Sequence, residues 1–407
     1  MTIARASQAG TPPGAGDILA KAEDPVGFRA AVRAWMKATL DAEARVFSSG
    51  NAGSFYDKQQ WWMAERNKVG LGTPHWPAAY GGVDLSLTNQ VIIAEEVARI
   101  GVPILSLFTI SLHHLPATLI TWGTEQQKTR YLPGISKGVV WCQGFSEPGA
   151  GSDLASLRTR AVRDGDSYVI NGQKIWSSYS MYAEYCILLT RTNPDVKKHA
   201  GITYFIMDMK NEGIEVRPLR QANGAASFAE IFLTDVRIPV ENRVGEENEG
   251  WAVAQTTLSA ERGLLVFESG ERLRYLLERF YADALHEQAG WLENPAMKRE
   301  YARLFAAMQG CRRLLRRLLR ETEAQLPTVP ETVIYVKIII TALQQQIGDF
   351  MMRAKGLGGQ FYSGIKPDMP VEPTDMYVSS FGGTIAGGSN EIMRNLLAER
   401  ILHMPRS

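Results

Sequence analysis

Hydrophobic spacing changes twice along this chain of 407 residues, and the two changes limit the folds that it can adopt. From Val139 to about Val244, apolar residues recur in short runs with period two, which is typical of β-strands. Before about Lys137 and after Trp251 the spacing is helical. The sequence therefore predicts a multi-domain α+β chain with the order α, β, α.

The same changes predict domain boundaries. Residues 1–24 are rich in Ala, Gly and Pro and lack the apolar segment of a signal peptide, so we expect a mobile tail. An N-terminal helical domain is expected over residues 25–138, a β domain over 139–244 and a C-terminal helical domain over 245–407. Since a domain usually has roughly 100–200 residues, the chain length suits this division.

Two stripes of helical spacing mark the N-terminal zone. Their members are Phe28, Val32, Trp35 and Met36 in the first stripe and Val91, Ile92, Glu96 and Val97 in the second. In the C-terminal zone, paired Arg and paired Leu alternate over residues 312–320, which predicts an amphipathic helix. Its arginines could contact nucleic acid, but a solvated or subunit-facing stripe fits better because the net charge of the chain is only +1.

The β zone contains a signal for a tight turn. Residues 168–170 lead into Asn171-Gly172, a sequence typical of hairpin turns, so a hairpin is predicted there. Further strands are predicted at residues 185–189, 202–207, 214–216 and 231–233.

The charge balance and the cysteines exclude several classes of protein. With 44 Lys and Arg against 43 Asp and Glu, the chain has no long-range attraction for nucleic acid or for an anionic membrane. Cys142, Cys186 and Cys311 are far apart, which suits a reducing compartment without a disulfide framework. The most apolar window, residues 104–122, is interrupted by His and Pro, so we expect no membrane span and a cytoplasmic protein.

The six histidines show no spacing that is typical of metal ligands. His113 and His114 form the one close pair, and adjacent helical residues do not share a face. We therefore expect two ordinary histidines and no metal site.

Residues 143–153, Q-G-F-S-E-P-G-A-G-S-D, form a Gly-rich segment. Small residues let the backbone approach a ligand, consecutive N–H groups can bind an anion, and Ser146 and Ser152 add hydroxyl donors. A simple loop has the same composition, and the third glycine and strand–helix context of a dinucleotide-binding fingerprint are missing. A second segment, residues 171–178, ends in Trp176 and two serines that could flank a planar ring, although Trp176 taken alone is more typical of a core residue.

In their order and spacing, six segments resemble the acyl-CoA dehydrogenase family over nearly the whole chain. They are W-P-A-A-Y-G-G at 76–82, G-T-E-Q-Q-K-T-R-Y-L-P at 123–133, residues 146–153, residues 171–178, D-V-R-I-P at 235–239 and T-I-A-G-G-S-N-E-I-M-R-N-L-L-A-E-R at 384–400. The resemblance implies the fold of that family, which has an N-terminal helical domain, a middle β-barrel-like domain and a C-terminal four-helix bundle.

The resemblance also implies FAD as cofactor, bound between the β domain and the C-terminal helices. The implied cofactor-binding residues are Gln143, Phe145, Ser146, Gly151, Ser152, Trp176, Ser178, Lys355, Gly358, Gly359, Ser389 and Glu391. The implied substrate-binding residues are Ser152, Arg262, Gly387 and Gly388.

The reaction of this family converts an acyl-CoA thioester to the trans-2-enoyl-CoA, with a carboxylate taking the α-proton and flavin N5 accepting the hydride. The commonest position of the base corresponds to Gly387, which cannot accept a proton. A minority of members, isovaleryl-CoA dehydrogenase among them, carry the base in an E-R pair early in the C-terminal domain, which corresponds to Glu261-Arg262. Glu261 is therefore the predicted base. The alternative is that Glu261 is an ordinary carboxylate on a helix surface, since Glu268 and Glu271 show that such carboxylates are common here.

Two departures from the family pattern bear on assembly. The R-x-x-F-G-x-P motif, which holds the FAD of a neighbouring subunit in homotetramers, is replaced by A-L-H-E-Q-A-G-W-L-E at residues 284–293. The Q-x-L-G-G motif is K-G-L-G-G at residues 355–359, where Lys can still pair with a pyrophosphate. The first departure resembles bacterial members, several of them in steroid side-chain breakdown, that form α2β2 heterotetramers with a paralogous subunit.

We therefore expect either a homotetramer or such a heterotetramer, with an acyl-CoA as substrate and an electron-transferring flavoprotein as acceptor. The alternatives are a flavin acyl-CoA oxidase and a partner subunit with reduced catalysis. Gly263 and Gly270 lie close to Glu261 in sequence, and glycine costs about 1 kcal/mol inside a helix. These glycines therefore predict either a wide acyl pocket or close helix packing.

Overall fold

The structure, a computed structural model, describes residues 13–47, 53–261, 265–361 and 372–405. Six helices form the described N-terminal part: α1 (Ala15–Leu19), α2 (Pro25–Val46), α3 (Phe55–Lys68), α4 (Leu87–Ile100), α5 (Leu115–Trp122) and α6 (Glu125–Ser136). A π-helical turn over Ile110–His114 runs directly into α5. The two predicted stripes lie on α2 and α4, and all eight of their side chains are buried.

Burial of the charged member of the second stripe has a clear cause. Glu96 on α4 accepts hydrogen bonds from Arg29 Nη1 at 3.0 Å and Arg33 Nε at 2.8 Å, both on α2. Burial alone would raise the pKa of Glu96, but the two guanidinium groups hold it below its ordinary value. The pairing of these helices is thus partly ionic at an apolar interface.

Part of the predicted tail belongs to this domain. Ile18 on α1 is fully buried, and Asn89 Nδ2 on α4 donates to the carbonyl of Ala22 at 2.9 Å. The expectation of a mobile tail is therefore wrong for residues 13–24, because an apolar side chain and a hydrogen bond hold them on the domain. Residues 1–12 lie outside the described residues.

An eight-stranded sheet forms the middle of the chain. Its strands are β1 (Trp141–Gly144), β2 (Arg160–Asp164), β3 (Ser167–Ser178), β4 (Tyr185–Arg191), β5 (Ile202–Asp208), β6 (Ile214–Leu219), β7 (Phe228–Pro239) and β8 (Arg243–Val244). The order is β6-β7-β3-β2-β4-β5-β8, and β1 pairs with β4 in parallel. The four strands predicted after residue 180 are confirmed as β4, β5, β6 and β7.

The hairpin predicted at Asn171-Gly172 is wrong, because β3 continues through both residues. The turn lies at Gly165-Asp166, where Asp164 pairs with Ser167. Gly165 adopts a φ of 61°, which a two-residue hairpin loop requires at its first position.

Asn171 and Gly172 instead form an irregularity in the pairing of β3 with β7. Asn171 Oδ1 accepts from the backbone N–H of Asp235, and Asn171 Nδ2 donates to Asp235 Oδ1, both at 2.9 Å. A Cβ at Gly172 would lie 2.5 Å from Thr159 Oγ1, so any larger residue would collide with the neighbouring chain. The Asn-Gly pair thus marks a bulge and a close approach.

Helices form the described C-terminal part: α7 (Gly250–Glu261), α8 (Leu265–Glu287), α9 (Pro295–Glu323), α10 (Val329–Lys355), α11 (Pro373–Gly383) and α12 (Asn390–Leu396). Helices α8 to α11 surround one apolar core and form a four-helix bundle.

The Arg and Leu pairs lie on the amphipathic α9, where Leu315 and Leu318 are buried and Arg312 pairs with Glu271 of α8. A Cβ at Gly270 would lie 2.6 Å from Leu315 Cδ1, which favours close helix packing at this glycine; Gly263 lies outside the described residues.

A single side chain joins the N-terminal part to the β domain. Gln127 caps α6 through its Oε1, which accepts from the N–H of Thr124 at 3.1 Å. Its Nε2 donates to the carbonyls of Glu241 and Arg243 at the end of the β domain, at 2.9 and 2.8 Å. Among the residues that the structure describes, no helix is both long enough and apolar enough to cross a bilayer.

Candidate active site

The Gly-rich segment leaves the sheet at the end of β1 and forms an open loop. Two backbone hydrogen bonds of 3.1 and 3.0 Å join Glu147 and Ala150 and close a tight turn. Gly149, Gly151 and Ser152 are exposed, and a Cβ at either glycine would meet no atom within 4 Å. The loop therefore presents its backbone to open space with room for a ligand.

A buried ion pair between Lys174 and Glu147 holds this loop against the sheet. Lys174 of β3 is fully buried, and its Nζ donates to Glu147 Oε1 at 2.8 Å and to the carbonyl of Phe145 at 3.1 Å. Glu147 also accepts from the backbone N–H groups of Arg158 and Thr159 at 2.7 and 2.8 Å. Burial alone would raise the pKa of Glu147, but Lys174 and these hydrogen bonds lower it, and burial lowers the pKa of Lys174.

This pair was not predicted from the sequence, although a signal for it exists. Lys174 has the same parity along β3 as the buried Tyr168 and Ile170, so the period-two pattern already places a lysine on the inward face. A lysine at such a position needs a buried carboxylate partner.

Trp176 occupies an irregular point of β3. The pairing of β3 with β7 shifts register between Lys174 and Ser177, and Trp176 between them has a φ of 61°. A positive φ is an outlier for a bulky residue and is concentrated at ligand sites. Trp176 is 58% exposed, and its ring lies edge-on to Phe228 at 6.0 Å between ring centroids, so its interpretation as a core residue is wrong.

Hydrogen bonds bring the two predicted segments together. The N–H of Ile175 donates to the carbonyl of Ser146, and Ser177 Oγ donates to the carbonyl of Gln143, both at 2.9 Å. Gln143 Oε1 lies 2.9 Å from Nδ1 of the buried His114. Phe145 is buried with its ring edge-on to Tyr204, so its contact with a cofactor would come from the main chain. Ser178 is half-buried at the same end of β3.

A second group of predicted residues lies on the C-terminal helices. Gly387 and Gly388 have φ values of 64° and 88°, and Ser389 Oγ caps α12 by accepting from the N–H of Ile392 at 3.3 Å. Lys337 Nζ on α10 donates to the carbonyl of Gly388 at 2.7 Å. This turn is therefore fixed to α10.

The remaining predicted cofactor residues differ in their exposure and in the contacts that they already make. Lys355 Nζ, at the end of α10, pairs with Glu287 Oε2 at 2.7 Å, so its charge is already matched within the chain. Gly358 is exposed, whereas Gly359 is buried and its carbonyl accepts from a threonine hydroxyl of α11. Glu391 is exposed beside Arg394 at 3.5 Å.

The predicted base ends a well-anchored helix. Glu261 is the last residue of α7, and Thr257, one turn earlier, lies 2.7 Å from Thr118 Oγ1 and 3.3 Å from the Tyr204 hydroxyl. The position of the Glu261 side chain is not described, and Arg262 lies outside the described residues. Their roles stay predictions.

The stretch that replaces the family's FAD-holding motif is used for packing. Trp291 is buried, and its ring lies edge-on to Phe350 at 5.4 Å and near-parallel to Phe280 at 6.1 Å between centroids. The residue that most distinguishes this stretch is therefore directed into the bundle core.

The histidine pair shows no metal geometry. His113 stacks on His75 with ring centroids 5.4 Å apart, and burial holds the pKa of His113 well below its ordinary value. Within the described ranges, no three His, Cys, Asp or Glu side chains are grouped as metal ligands would be. The three cysteines are buried and unpaired.

Comparisons with known proteins cover all three parts of the chain. The acyl-CoA dehydrogenase N-terminal, middle and C-terminal domain families match residues 23–139, 142–236 and 248–402. Acyl-CoA dehydrogenase IpdE1 of Mycobacterium tuberculosis is 34% identical over 391 residues, which are 94% of this chain and 99% of that protein.

Two solved structures share the whole architecture. The Tcur3481-Tcur3483 steroid ACAD superposes with a TM-score of 0.82 at 32% identity and covers 95% of this chain and 98% of its own. The ChsE4-ChsE5 complex from Mycobacterium tuberculosis gives a TM-score of 0.79 at 29% identity, with 100% of both chains covered. The α–β–α order, the four-helix bundle and matches along nearly the full length agree, and the chain belongs to the acyl-CoA dehydrogenase family.

Proposed function

We propose that this protein catalyses the FAD-dependent α,β-dehydrogenation of an acyl-CoA thioester, with Glu261 as the base. The observation that carries the proposal is Trp176, a largely exposed aromatic residue in a left-handed backbone conformation beside the open Gly-rich segment. Strain of this kind costs about 1–3 kcal/mol and persists where a ligand site requires it. Family membership supplies the reaction class.

The residues at this edge of the sheet fit a flavin nucleotide. The indole of Trp176 offers a flat apolar surface that the chain's own atoms leave uncovered, and the backbone at Gly149 and Gly151 is open. Gln143, Ser146, Gly151, Ser152, Trp176 and Ser178 would hold FAD on the β domain, and Ser389 and Glu391 would contact it from the C-terminal helices. Bound FAD supplies the hydride acceptor for the β-hydrogen of the substrate.

The proton step falls to the chain itself. Glu261 would take the α-proton of the thioester, since Gly387 leaves the commoner base position without a side chain. A carboxylate in a site from which water is excluded has a raised pKa, which brings its basicity closer to what α-proton removal requires. Arg262, Gly387 and Gly388 would bind the substrate beside it.

Two observations support assembly with a second, paralogous subunit. Trp291 fills the bundle core where homotetrameric relatives are expected to present an Arg and a Phe to a neighbour's FAD. Leu357, Phe361 and Ile385 on the C-terminal part are each at least 68% exposed, which suits an apolar contact with another chain. The two solved relatives, Tcur3481-Tcur3483 and ChsE4-ChsE5, are each named for two different polypeptides. We propose an α2β2 heterotetramer that passes electrons to an electron-transferring flavoprotein.

A variant at Glu261 tests the chemistry. In Glu261→Gln, α-proton exchange and dehydrogenation should fall by about 10²–10⁴-fold, since a positioned general base typically contributes that much. Flavin content, measured by absorbance, should not change. Glu249→Gln, an exposed carboxylate just before the start of α7, is the matched control and should keep full activity.

Purification from the native host tests the assembly. A co-purifying paralogue and less than one flavin per protomer in the isolated chain are the expected results. Full flavin occupancy of the isolated chain would contradict an obligate partner.

Two outcomes would contradict the proposed chemistry. Turnover that persists in Glu261→Gln would show that Glu261 is not the base. Peroxide release without dependence on an electron-accepting dye would indicate an oxidase instead.

A further inference from the structure

A cavity of about 50 Å³ lies between α3, α4 and the first turns of α8. Its polar lining comprises Arg66, His75, Gln90, Thr109, His113 and Glu268. Most of the remaining wall is apolar, including Ile93, Val97 and Leu265. A space of this size accommodates the polar end of a ligand and not a whole one.

Arg66 is the least satisfied charge at this cavity. Its residue is 9% exposed, yet its one hydrogen bond among the described residues is a long contact of 3.5 Å from Nη2 to the carbonyl of Pro103. Its Nε is buried without a partner, although a guanidinium has five N–H donors. Glu268, whose charge attracts Arg66, is already paired with Arg272 at 2.9 Å. Burial lowers the pKa of Arg66 to about 10, so it keeps its proton at neutral pH.

His75 points to the same conclusion independently. Its Nε2 donates to the carbonyl of Leu112 at 2.9 Å, and its Nδ1 is buried without a partner. Burial lowers the pKa of His75, so the ring is neutral and Nδ1 is an acceptor. The cavity wall thus combines unmet donors on Arg66 with an unmet acceptor on His75. The Arg66 charge is compensated only in part, by Glu268, which is itself paired with Arg272.

The cavity is linked along the chain to the proposed active site on two sides. Leu265 and Glu268 follow the predicted base Glu261 by four and seven residues. On the other side, His113 precedes His114, whose Nδ1 lies 2.9 Å from Gln143 Oε1 of the Gly-rich segment. A group bound in the cavity is therefore connected by chain neighbours both to the predicted base and to the proposed flavin-binding edge.

We infer that this cavity receives the far end of the acyl group and selects acyl-CoA substrates that carry an oxygen there, with Arg66 as the specificity-determining residue. The inference rests on the proposed function. Carboxylate, keto and hydroxyl oxygens all accept from a guanidinium, and a carboxylate also supplies the negative charge that Arg66 lacks. An unsubstituted acyl chain would leave the guanidinium buried without acceptors, which disfavours its binding.

The test compares straight-chain acyl-CoAs of increasing length, each with a methyl, hydroxyl, keto or carboxylate end. The flavin-loaded enzyme is used together with any subunit that co-purifies with it. At the best chain length, kcat/KM for an oxygenated end should exceed that for the methyl end by about tenfold or more, and the carboxylate should rank first. In Arg66→Leu the preference should disappear, because kcat/KM should fall for the oxygenated ends and rise for the methyl end. Arg66→Lys should retain part of the preference.

Equilibrium binding separates this inference from the chemistry. In the Glu261→Gln background, the dissociation constant of the carboxylate-ended CoA should be about tenfold or more below that of the methyl-ended one, and Arg66→Leu should equalise the two. Gln59→Leu is the matched control, because Gln59 Nε2 holds the same chain segment through the carbonyl of Ile104 at 2.8 Å without placing a charge at the cavity. The preference should survive that change.

Two results would overturn the inference while leaving the proposed function intact: equal kcat/KM values for all four ends, or a preference that persists in Arg66→Leu. Loss of the preference in Gln59→Leu would assign the effect to loosening of the segment and would also overturn it. If the enzyme neither binds nor oxidises any member of the series, the proposed function and this inference both fail.

Discussion

Two buried cations lie in different parts of this molecule under opposite conditions. Lys174, in the sheet below the Gly-rich segment, has the Glu147 carboxylate at 2.8 Å and the Phe145 carbonyl at 3.1 Å. Arg66, in the N-terminal domain, has one acceptor at 3.5 Å among the described residues. Burial of a charge therefore does not by itself indicate its role. A cation with matched partners belongs to the scaffold, whereas a cation with unmet donors indicates a ligand.

Removing the matched cation should have the largest effect on stability. Lys174→Met leaves the Glu147 carboxylate buried without its counter-ion, and breaking such a pair usually costs about 3–5 kcal/mol in the free energy of unfolding. Urea unfolding of the two proteins measures the difference. The double variant Lys174→Met, Glu147→Leu should recover part of the loss, though not the bonds from Arg158 and Thr159. A loss below about 1 kcal/mol in the single variant would show that the ion pair does not stabilise the fold.

Acid should reduce that difference. In the native protein the pKa of Glu147 lies below its ordinary value, so its stabilising contribution is present above the ordinary glutamate range and is lost as pH falls through the folded-state pKa. In Lys174→Met, burial should instead raise the pKa of Glu147, and the carboxyl group then takes up a proton at a higher pH.

The gap in unfolding free energy between the native protein and Lys174→Met should therefore shrink from neutral pH toward about pH 5. Urea unfolding at a series of pH values measures it. The Lys174→Met, Glu147→Leu double variant is the control, because it contains no titrating partner. A gap that stays constant or widens would contradict the assignment of Glu147 as the destabilised group.

Removing the unmatched cation should have the smallest effect. Arg66→Leu relieves a buried guanidinium of its desolvation and loses one long hydrogen bond, so the free energy of unfolding should change by less than about 1 kcal/mol in either direction. Thermal and urea unfolding without ligand measure this. A loss comparable to that of Lys174→Met would make Arg66 a structural residue and end the contrast between the two cations.

The sequence predicted most elements but not their irregularities. Period two located β4 to β7, since alternation follows directly from strand geometry. The hairpin was misplaced because an Asn-Gly pair favours positive φ wherever the backbone departs from regular pairing. Whether that is a turn or a bulge depends on Asp235 and Thr159, which are distant in sequence.

For the candidate site too, the sequence located the segments but not the local backbone irregularities. Resemblance to a family located the Gly-rich segment and Trp176, but exposure of the indole depends on a register shift between β3 and β7 that no local pattern encodes. Lys174 could have been suspected from its parity, whereas Arg66 could not. Arg66 loses its water contacts only when α3 packs against the segment around Pro103, which is 37 residues away in the sequence.

Gln127 has a consequence for how the molecule opens. The same amide caps α6 and bonds to two carbonyls at the far end of the β domain, so α6 cannot fray at its first turn without releasing the adjoining domain as well. Amide hydrogens at the start of α6 and those near residues 241–243 should therefore exchange with solvent in a shared opening event. The cooperative unit of this protein would then cross the boundary that its sequence families draw at residue 139.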